Sequence, residues 1–350
     1  MTSWPGGMRQ AWSCAVFGLA CVISLPAWAD SEPQDWLGRM ERALDNLNYE
    51  GTLVQMQGDE ASVMHVVHRV DGSDSAERIT AMDEVGREII RRGDEVTCIF
   101  PDQRTVVVGR RSGGANGTSP LRQQFPDDFR FDGKYYRFAI ASGGRLVGRL
   151  TWMITVKPMD QYRYGYRLWL DRSTAMPLKV QISAEDDSVV EQLLFSEISL
   201  PEQIPAAALT PSVNTDGFTW RHSNTAASAA SAASTGPASA VQPVWRAASL
   251  PPGFRLRTVR SRQVEGGDAP MEHLVYTDGI ASVSVFVEAG VTVSEQGEGV
   301  SRMGAANAYT AMNQGYLVTA VGEVPVRTTE MIARSLQAAE AAPVARDARP

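Results

Sequence analysis

The sequence predicts a mainly β fold with some α: a large antiparallel sheet, curved or partly closed, under a covering helix, then a smaller α+β domain with an antiparallel sheet of its own. Three observations predict it. Apolar and polar residues alternate at the period of a half-buried strand through most of residues 49–198 and again through 254–324. Helical spacing is confined to short stretches, the first at Trp36, Leu37, Met40, Leu44 and Leu47, with Arg39, Glu41, Arg42 and Asp45 between them. Between the two strand-rich regions, Ala226–Ala240 holds only Ala, Ser, Thr, Gly and Pro, which cannot contribute to a core and reads as a flexible tether.

With 350 residues, 43% hydrophobic and 21% charged, the chain can build about two domains of ~100–200 residues. A disordered chain is excluded. The formal charge of −7 argues against a nucleic-acid partner, which calls for a basic excess. Past the N-terminus every apolar run is cut by Arg, Asp, Glu or Gly before the ~18 residues of a spanning helix. Residues 1–29 read as a cleavable export signal: Arg9 is the only charge, Ala11–Leu25 the apolar core and Ala27-Trp28-Ala29 the cleavage site. Acylation at Cys21 is opposed by Gly18, where such a motif carries Leu, and by the apolar run continuing past the cysteine. The exported chain, from Asp30, keeps Cys98 alone, which excludes an intramolecular disulfide. Alternation of Val96, Cys98 and Phe100 puts Cys98 on the apolar face of a strand, as a small buried hydrophobe.

In order along the chain, the helix Trp36–Leu47 needs a sheet beneath its apolar face. Strands are predicted at Tyr49–Gln57, Ser62–Val70, Glu77–Met82, Arg87–Arg92, Glu95–Phe100, Thr105–Arg110, Tyr135–Ala141, Leu146–Lys157, Tyr162–Leu170, Leu178–Ala184 and Val189–Ile198. Gly58-Asp59, Asp71-Gly72, Gly93-Asp94 and Gly143-Gly144 mark turns between them. The large domain covers 30–221 and the tether 222–243, whose end-to-end distance as a flexible chain is about 25 Å, so the domains are expected to move independently. In the small domain, 244–337, strands are predicted at Phe254–Val264, Glu272–Thr277, Ala281–Ala289, Asn307–Met312 and Tyr316–Val324, with Val283, Val285 and Val287 on one face. A helix over Thr328–Gln337 follows Pro325, and 338–350 reads as a disordered tail.

The residues offer no catalytic or metal-binding constellation. Of the four histidines, His65 and His68 face opposite sides of one strand, His222 opens the tether, and His273 has no nucleophile elbow to serve. Gly297, Gly299 and Gly304 lack both the spacing and the βαβ context of a dinucleotide loop. Asn116-Gly117-Thr118 reads as an ordinary loop. No cofactor is expected.

Several motifs in one order resemble the RseB/MucB family, periplasmic regulators of the envelope-stress sigma factor sigma-E. In the first domain they are Gly148-Arg149, Pro158, Asp160, the run Tyr162-Arg163-Tyr164-Gly165-Tyr166-Arg167-Leu168-Trp169-Leu170-Asp171, Pro177-Leu178 and Glu191-Gln192. In the second they are Leu250-Pro251-Pro252-Gly253-Phe254, Asp278-Gly279, Ser284-Val285-Phe286-Val287-Glu288 and Gly322-Glu323-Val324-Pro325. The resemblance runs from Trp36 to Leu336. It departs at Glu84-Val85 and Ala175-Met176, where the family pattern puts a glycine, and in a longer tether. The resemblance implies a large unclosed antiparallel β-barrel like LolA and LppX, with covering helices, and a non-enzymatic regulator. Such a regulator binds the periplasmic domain of a transmembrane anti-sigma factor, shields it from the site-1 protease and is released by lipid-like molecules.

Three features stand out beside it. Tyr162, Tyr164 and Tyr166 put rings on one strand face, with Trp152 and Ile154 on the neighbouring strand and Trp36 and Met40 on the helix. They pack a core or line a lipid cavity. Phe125, Phe129 and Phe131, in the connection 121–133, form a core satellite or a lid. Arg255, Arg257, Arg260 and Arg262 either protect an edge strand or bind carboxylates and phosphates of an acidic peptide or lipopolysaccharide. If the strand is regular, Arg255 and Arg257 share one face and Arg260 and Arg262 the other. A second copy of the chain is a further candidate partner. The rival to a regulator is a periplasmic lipid or lipoprotein carrier, for which the small domain has no evident use.

Overall fold

The computed structural model describes residues 32–83, 85–110, 120–123, 133–223, 243–263, 270–289 and 298–339. The export signal, Phe125, Phe129, Phe131, Gly297, the Asn116 sequon, most of the tether and the tail beyond residue 339 lie outside the described residues.

Helix α1 (Pro33–Asn46) leads into β1 (Tyr49–Gln57), β2 (Glu60–Asp71), β3 (Asp74–Ala81), β4 (Glu88–Arg92), β5 (Glu95–Phe100) and β6 (Thr105–Arg110). Then come α2 (Pro120–Gln123), β7 (Tyr136–Leu146), β8 (Arg149–Pro158), β9 (Gly165–Asp171), β10 (Pro177–Ser183), β11 (Val189–Ser199) and β12 (Thr219–Ser223). All twelve strands form one sheet in the order β12-β6-β5-β4-β3-β2-β1-β11-β10-β9-β8-β7. Its described end strands β12 and β7 do not pair with each other, so the barrel is unclosed. Pairing is antiparallel except for β12, which runs parallel to β6 with His222 opposite Val108. His222 therefore lies in a strand, at the residue where the tether was expected to begin. The pairing extends through Ser223.

Helix α1 lies over one face because Trp36, Leu37, Met40, Ala43 and Leu44 form its apolar side, all buried. Trp36, Leu37, Met40 and Leu44 join Leu53, Val66, Ile154, Tyr166, Leu168, Val180 and Phe195 in one core. Arg122 of α2 pairs with Asp45 of α1 at 2.6 Å, and Leu121 is fully buried in the same core. The connection after β11 covers part of the opposite face. Ile204 and Leu209 pack on Val67, and Val213 and Phe218 on Ile90, Ile99 and Val106. Arg92 donates to the Leu209 carbonyl at 2.9 Å, and the Glu88 carboxylate accepts the Ser212 N–H at 3.1 Å.

The small domain comprises β13 (Trp245–Ala247), β14 (Arg255–Gln263), β15 (Pro270–Thr277), β16 (Ser282–Ala289), β17 (Gly299–Met303), β18 (Ala306–Asn313), β19 (Tyr316–Gly322), α3 (Val326–Arg334) and β20 (Leu336–Ala338). Its six-stranded sheet runs β14-β15-β16-β19-β18-β17. Leu274, Tyr276, Val283, Val285, Val287, Val318 and Ala320 form its core with Ile332 and Ala333 of α3. A separate pair, β13 with β20, ties the end of the tether to the C-terminal segment. The Glu272 carboxylate accepts the N–H groups of Val244 and Trp245 at 2.9 and 3.0 Å.

Two expected boundaries, one unforeseen strand and one turn differ for physical reasons. Gly143-Gly144 is no turn. Strand β7 runs on to Leu146 through a bulge between Ser142 and Gly144, and Val147-Gly148 makes the reversal at positive φ. The last helix begins at Val326, directly after Pro325, and ends at Arg334, because Leu336–Ala338 pairs as β20. Strand β17 shows no buried face, so its sequence carries no alternation. The glycine missing at Ala175 leaves that residue at φ 63°, a strained position. The Asp171 side chain braces this turn by accepting the N–H groups of Ser173 and Thr174 at 2.7 and 3.2 Å.

Because Met40 is buried to 1% at the centre of the α1 contact, Met40→Ala is expected to cost about 2–5 kcal/mol, the range for truncating a buried large side chain. Urea denaturation of the exported chain measures it.

Candidate functional site

The connection between β8 and β9 carries Arg163, a charged side chain without exposed surface. Tyr162–Leu170 was expected to be one strand, but β9 begins only at Gly165. Asp160 Oδ1 accepts the Tyr162 N–H at 3.0 Å and turns the chain before it. Arg163 and Tyr164 are consequently both buried, which neighbours on a strand with one solvated face cannot be. Tyr162 is half-buried and lines a cleft of about 450 Å³ with Lys157, Asp160, Arg167 and Asp187. The tyrosines thus do not present rings on one strand face.

Instead Arg163 bridges the two domains. Its Nε lies 3.2 Å from Asp160 of the large domain and its Nη1 3.0 Å from Asp278 of the small one. Both are ion-pair contacts without a linear N–H···O path, whereas Nη2 donates to the Pro252 carbonyl. The guanidinium carbon stands 4.8, 5.5 and 5.3 Å from the ring centroids of Tyr135, Tyr136 and Phe254, a cation–π cage drawn from both domains. The Tyr136 hydroxyl donates to Asp278 Oδ2 at 3.0 Å. Burial, and then the Asp278 charge, push that phenol well above its ordinary pKa. Asp278 Oδ1 accepts the N–H groups of Ile280 and Ala281 at 2.9 and 2.8 Å, which fixes the carboxylate. Gly253 sits at φ 85° with the Tyr135 ring against it, and a Cβ there would come within 2.5 Å of the ring.

A second set of contacts closes the other half of the junction. Asn307 Nδ2 donates to the Tyr164 hydroxyl at 2.9 Å and to the Val324 carbonyl at 2.8 Å. Thr328 Oγ1 donates to the Tyr162 carbonyl at 2.6 Å. Arg327 reaches Gln161 and lies 3.7 Å from Glu185. The Ala305 N–H donates to Glu191 at 3.3 Å. The domains, expected to move independently, are docked. Glu32–Pro350 forms one unit by contacts.

The remaining candidates fall into two groups. Trp36, Met40, Trp152, Ile154, Tyr164 and Tyr166 belong to the large-domain core, so side chains fill the space under α1. Trp36 and Trp152 meet edge to face at 6.4 Å, with Arg39 4.0 Å over one ring and Arg172 3.8 Å over the other. The arginines lie on β14, an edge strand of its sheet. That strand is not regular: a bulge at Arg257 shifts its phase, so Arg255 pairs with Thr277, Arg260 with His273 and Arg262 with Met271. Arg255 and Arg260 therefore share the face opposite the core, while Arg255 and Arg257 are exposed. His273 stacks on Phe286 at 4.4 Å, and burial, then Arg260, push its pKa down to about 4. His68 stacks on Tyr49, with a ring nitrogen 2.9 Å from the Leu47 carbonyl, and His65 faces Glu50 on the other side. Burial pushes the Cys98 thiol up, with Arg91 opposing.

Comparison with known proteins follows the same division. The family model for the MucB/RseB N-terminal domain matches residues 32–213, and that for the MucB/RseB C-terminal domain matches residues 239–337. The sigma factor AlgU regulatory protein MucB of Pseudomonas aeruginosa is 29% identical over 344 residues, covering 93% of this chain and 96% of that protein. The sigma-E factor regulatory protein RseB of Escherichia coli K12 is 25% identical over 345 residues, covering 94% and 98%. A crystal structure of MucB in complex with MucA(peri) superposes with a TM-score of 0.64 at 25% identity, over 89% of this chain and 100% of that one. The Pseudomonas aeruginosa MucA/MucB complex gives 0.64 at 27% identity, over the same shares.

Arg163→Met leaves two carboxylates facing an apolar cage and is expected to cost about 3–5 kcal/mol, the range for removing one partner of a buried ion pair. Adding Asp278→Leu should cost less than the sum of the single changes, as a double-mutant cycle by urea denaturation shows.

Proposed function

This chain belongs to the MucB/RseB family, and from that premise we propose that it is a negative regulator of sigma-E-type stress signalling. It binds the periplasmic domain of a transmembrane anti-sigma factor through both of its domains and protects it from site-1 proteolysis. The observation that carries this reading is the docked junction around Arg163, which holds the large sheet and the small domain in one register. A partner spanning both then meets one surface rather than two bodies on a tether. The complexes of MucB with MucA(peri), similar to this chain over most of its length, support a binding role.

The reading is of a binding protein rather than an enzyme. The named relatives are regulatory proteins, and His68 and His273 are committed to ring stacking. Export through residues 1–29 to the periplasm is part of the proposal. No helix among the described residues is long and apolar enough to cross a membrane. Release by a lipid-like signal is its second part. An acyl chain entering under α1 has to displace the side chains around Trp36, Met40 and Ile154. A lipid or lipoprotein carrier remains the alternative, but it gives the docked small domain no task.

Replacing Arg255, Arg257, Arg260 and Arg262 with Ala is expected to weaken binding of the anti-sigma periplasmic domain and to flatten its salt dependence, since exposed charges are screened over about 8 Å at physiological ionic strength. Titration calorimetry across a salt series, with circular dichroism as the fold control, reads both. Unchanged affinity and slope assign the arginines to protection of the β14 edge. An acyl-bearing amphiphile is expected to compete with the anti-sigma domain. Linkage requires that domain to weaken lipid binding by the same factor, about tenfold for each 1.4 kcal/mol of coupling. Equal lipid affinity with and without the domain removes lipid from the mechanism.

A further inference from the structure

The face of the large sheet opposite α1, between β7 and β10, collects positive charge in an otherwise acidic chain. From Lys134 to Lys179 the sequence holds nine Lys and Arg against two Asp and no Glu, in a protein of formal charge −7. Both of those carboxylates are engaged locally: Asp160 lies 3.2 Å from Arg163 and Asp171 2.8 Å from Arg149. The ladder sorts the cations by face, because residues opposite one another in an antiparallel pair point to the same side. Arg137 stands opposite Lys157, Trp169 stands between Met153 and Lys179, and Arg167 follows two residues before Trp169. Phe138, Ile154, Val156, Leu168 and Val180 alternate with them and pack on the core under α1. Four cations and an indole therefore share one face over four adjacent strands.

Arg137 and Lys157 are exposed, as are Ala139 and Ala141 beside them, and Trp169 is half-buried. The Lys179 ammonium lies 4.7 Å from the centroid of the Trp169 ring. A Cβ on Gly143 would come within 2.8 Å of that ring, so the glycine at the β7 bulge makes room for the indole on this face. The segment after β11 packs on Val67, Ile90, Ile99 and Val106, at the other wing of the same face. Toward the small domain the face runs into the cleft of about 450 Å³ lined by Lys157, Tyr162, Arg167 and Ser183. There Lys157 Nζ and Arg167 Nη2 converge on one carboxylate, Asp187, at 3.5 and 3.2 Å. Two cations from neighbouring strands can thus share a single oxyanion. The Asp187 and Lys157 side chains are 55% and 60% exposed, and an ion pair so placed contributes little in water, so the phosphate of a lipid headgroup takes the place of Asp187 at small cost. Glu185 of the same turn lies 3.7 Å from Arg327.

We propose that this face docks the chain on the surface of an anionic phospholipid bilayer, with Arg137, Lys157, Arg167 and Lys179 against lipid phosphates, Trp169 at the level of the headgroups and one headgroup entering the cleft. The chemistry favours a bilayer over an acidic protein. A protein interface is depleted of Lys and closes over an apolar centre, whereas here single apolar side chains stand between the cations. An indole among cations is the composition of a headgroup contact. Each cation brought near an anionic surface strengthens binding about fivefold, so the attraction comes from the set and from no one residue. The contact uses neither the space under α1 nor the β14 arginines, so its failure leaves the anti-sigma and acyl-release readings where they stand.

Co-sedimentation of the full exported chain with vesicles tests it, using equal parts of phosphatidylglycerol and phosphatidylcholine against phosphatidylcholine alone. Binding to the anionic vesicles only is expected, and it should be lost as salt rises from about 0.1 M to about 1 M, where the screening length falls from about 10 Å to about 3 Å. Arg137→Gln, Lys157→Gln and Lys179→Gln together are expected to weaken binding about a hundredfold, with the circular dichroism spectrum retained. Replacing the four β14 arginines with Ala is expected to leave it nearly unchanged. A polarity-sensitive fluorophore at Ala139→Cys, in a Cys98→Ser background, is expected to shift to the blue on the anionic vesicles, and one at Arg246→Cys on the small domain is not. Equal binding to both kinds of vesicle, or none, overturns the proposal. So does binding that the triple variant retains, or a response at Arg246→Cys without one at Ala139→Cys. If the triple variant instead loses affinity for the anti-sigma periplasmic domain while the parent ignores vesicles, the proposal is overturned and the face belongs to a protein partner.

Discussion

The Arg163 guanidinium, without exposed side-chain surface, sits between a carboxylate of its own domain and one of the other, and the relative placement of the two sheets depends on it. Taking a guanidinium and two carboxylates out of water costs several kcal/mol for each ion, and their attraction repays this only when geometry and hydrogen bonds are nearly complete. Here Tyr136 and the N–H groups of Ile280 and Ala281 occupy Asp278, and Pro252 takes a further guanidinium N–H. Such a pair adds little net stability over an apolar contact. Its effect is on specificity: any other docking of the small domain strands Arg163 or Asp278 without its partner.

The large sheet accommodates this arrangement because it does not close. β7 and β12 end it on opposite sides, and the β8–β9 connection emerges where Tyr135 and Tyr136 meet the small domain. Helix α1 seals one face with its apolar side, and the segment after β11 covers part of the other. What distinguishes this chain from a bare carrier barrel is a second domain locked to the rim. Mobility of the junction and access to the space under α1 are therefore separate properties, governed by different residues.

The strands were legible where one face is buried and the other is not. β1, β5 and β6 begin and end at the residues that their alternation marks, and α1 follows the spacing of Trp36, Met40 and Leu44. β17 was not legible, because a strand exposed on both faces leaves no period. β12 was missed because its partner in parallel pairing lies over a hundred residues earlier. Arg163 read only as one residue of an aromatic run, since nothing local tells a guanidinium caged between domains from one in water. A signal was present in another form. The runs around Asp160, Leu250-Pro251-Pro252-Gly253-Phe254, Asp278-Gly279 and Gly322-Glu323-Val324-Pro325 explain little within either domain, and they meet at the junction.

The central claim is that the docked domains act as one binding surface. Hydrogen-exchange mapping of the exported chain, with and without the anti-sigma periplasmic domain, tests it most directly. The account predicts that saturating partner slows exchange in both the large sheet and the small domain. Protection confined to one domain, with the other unchanged, contradicts it.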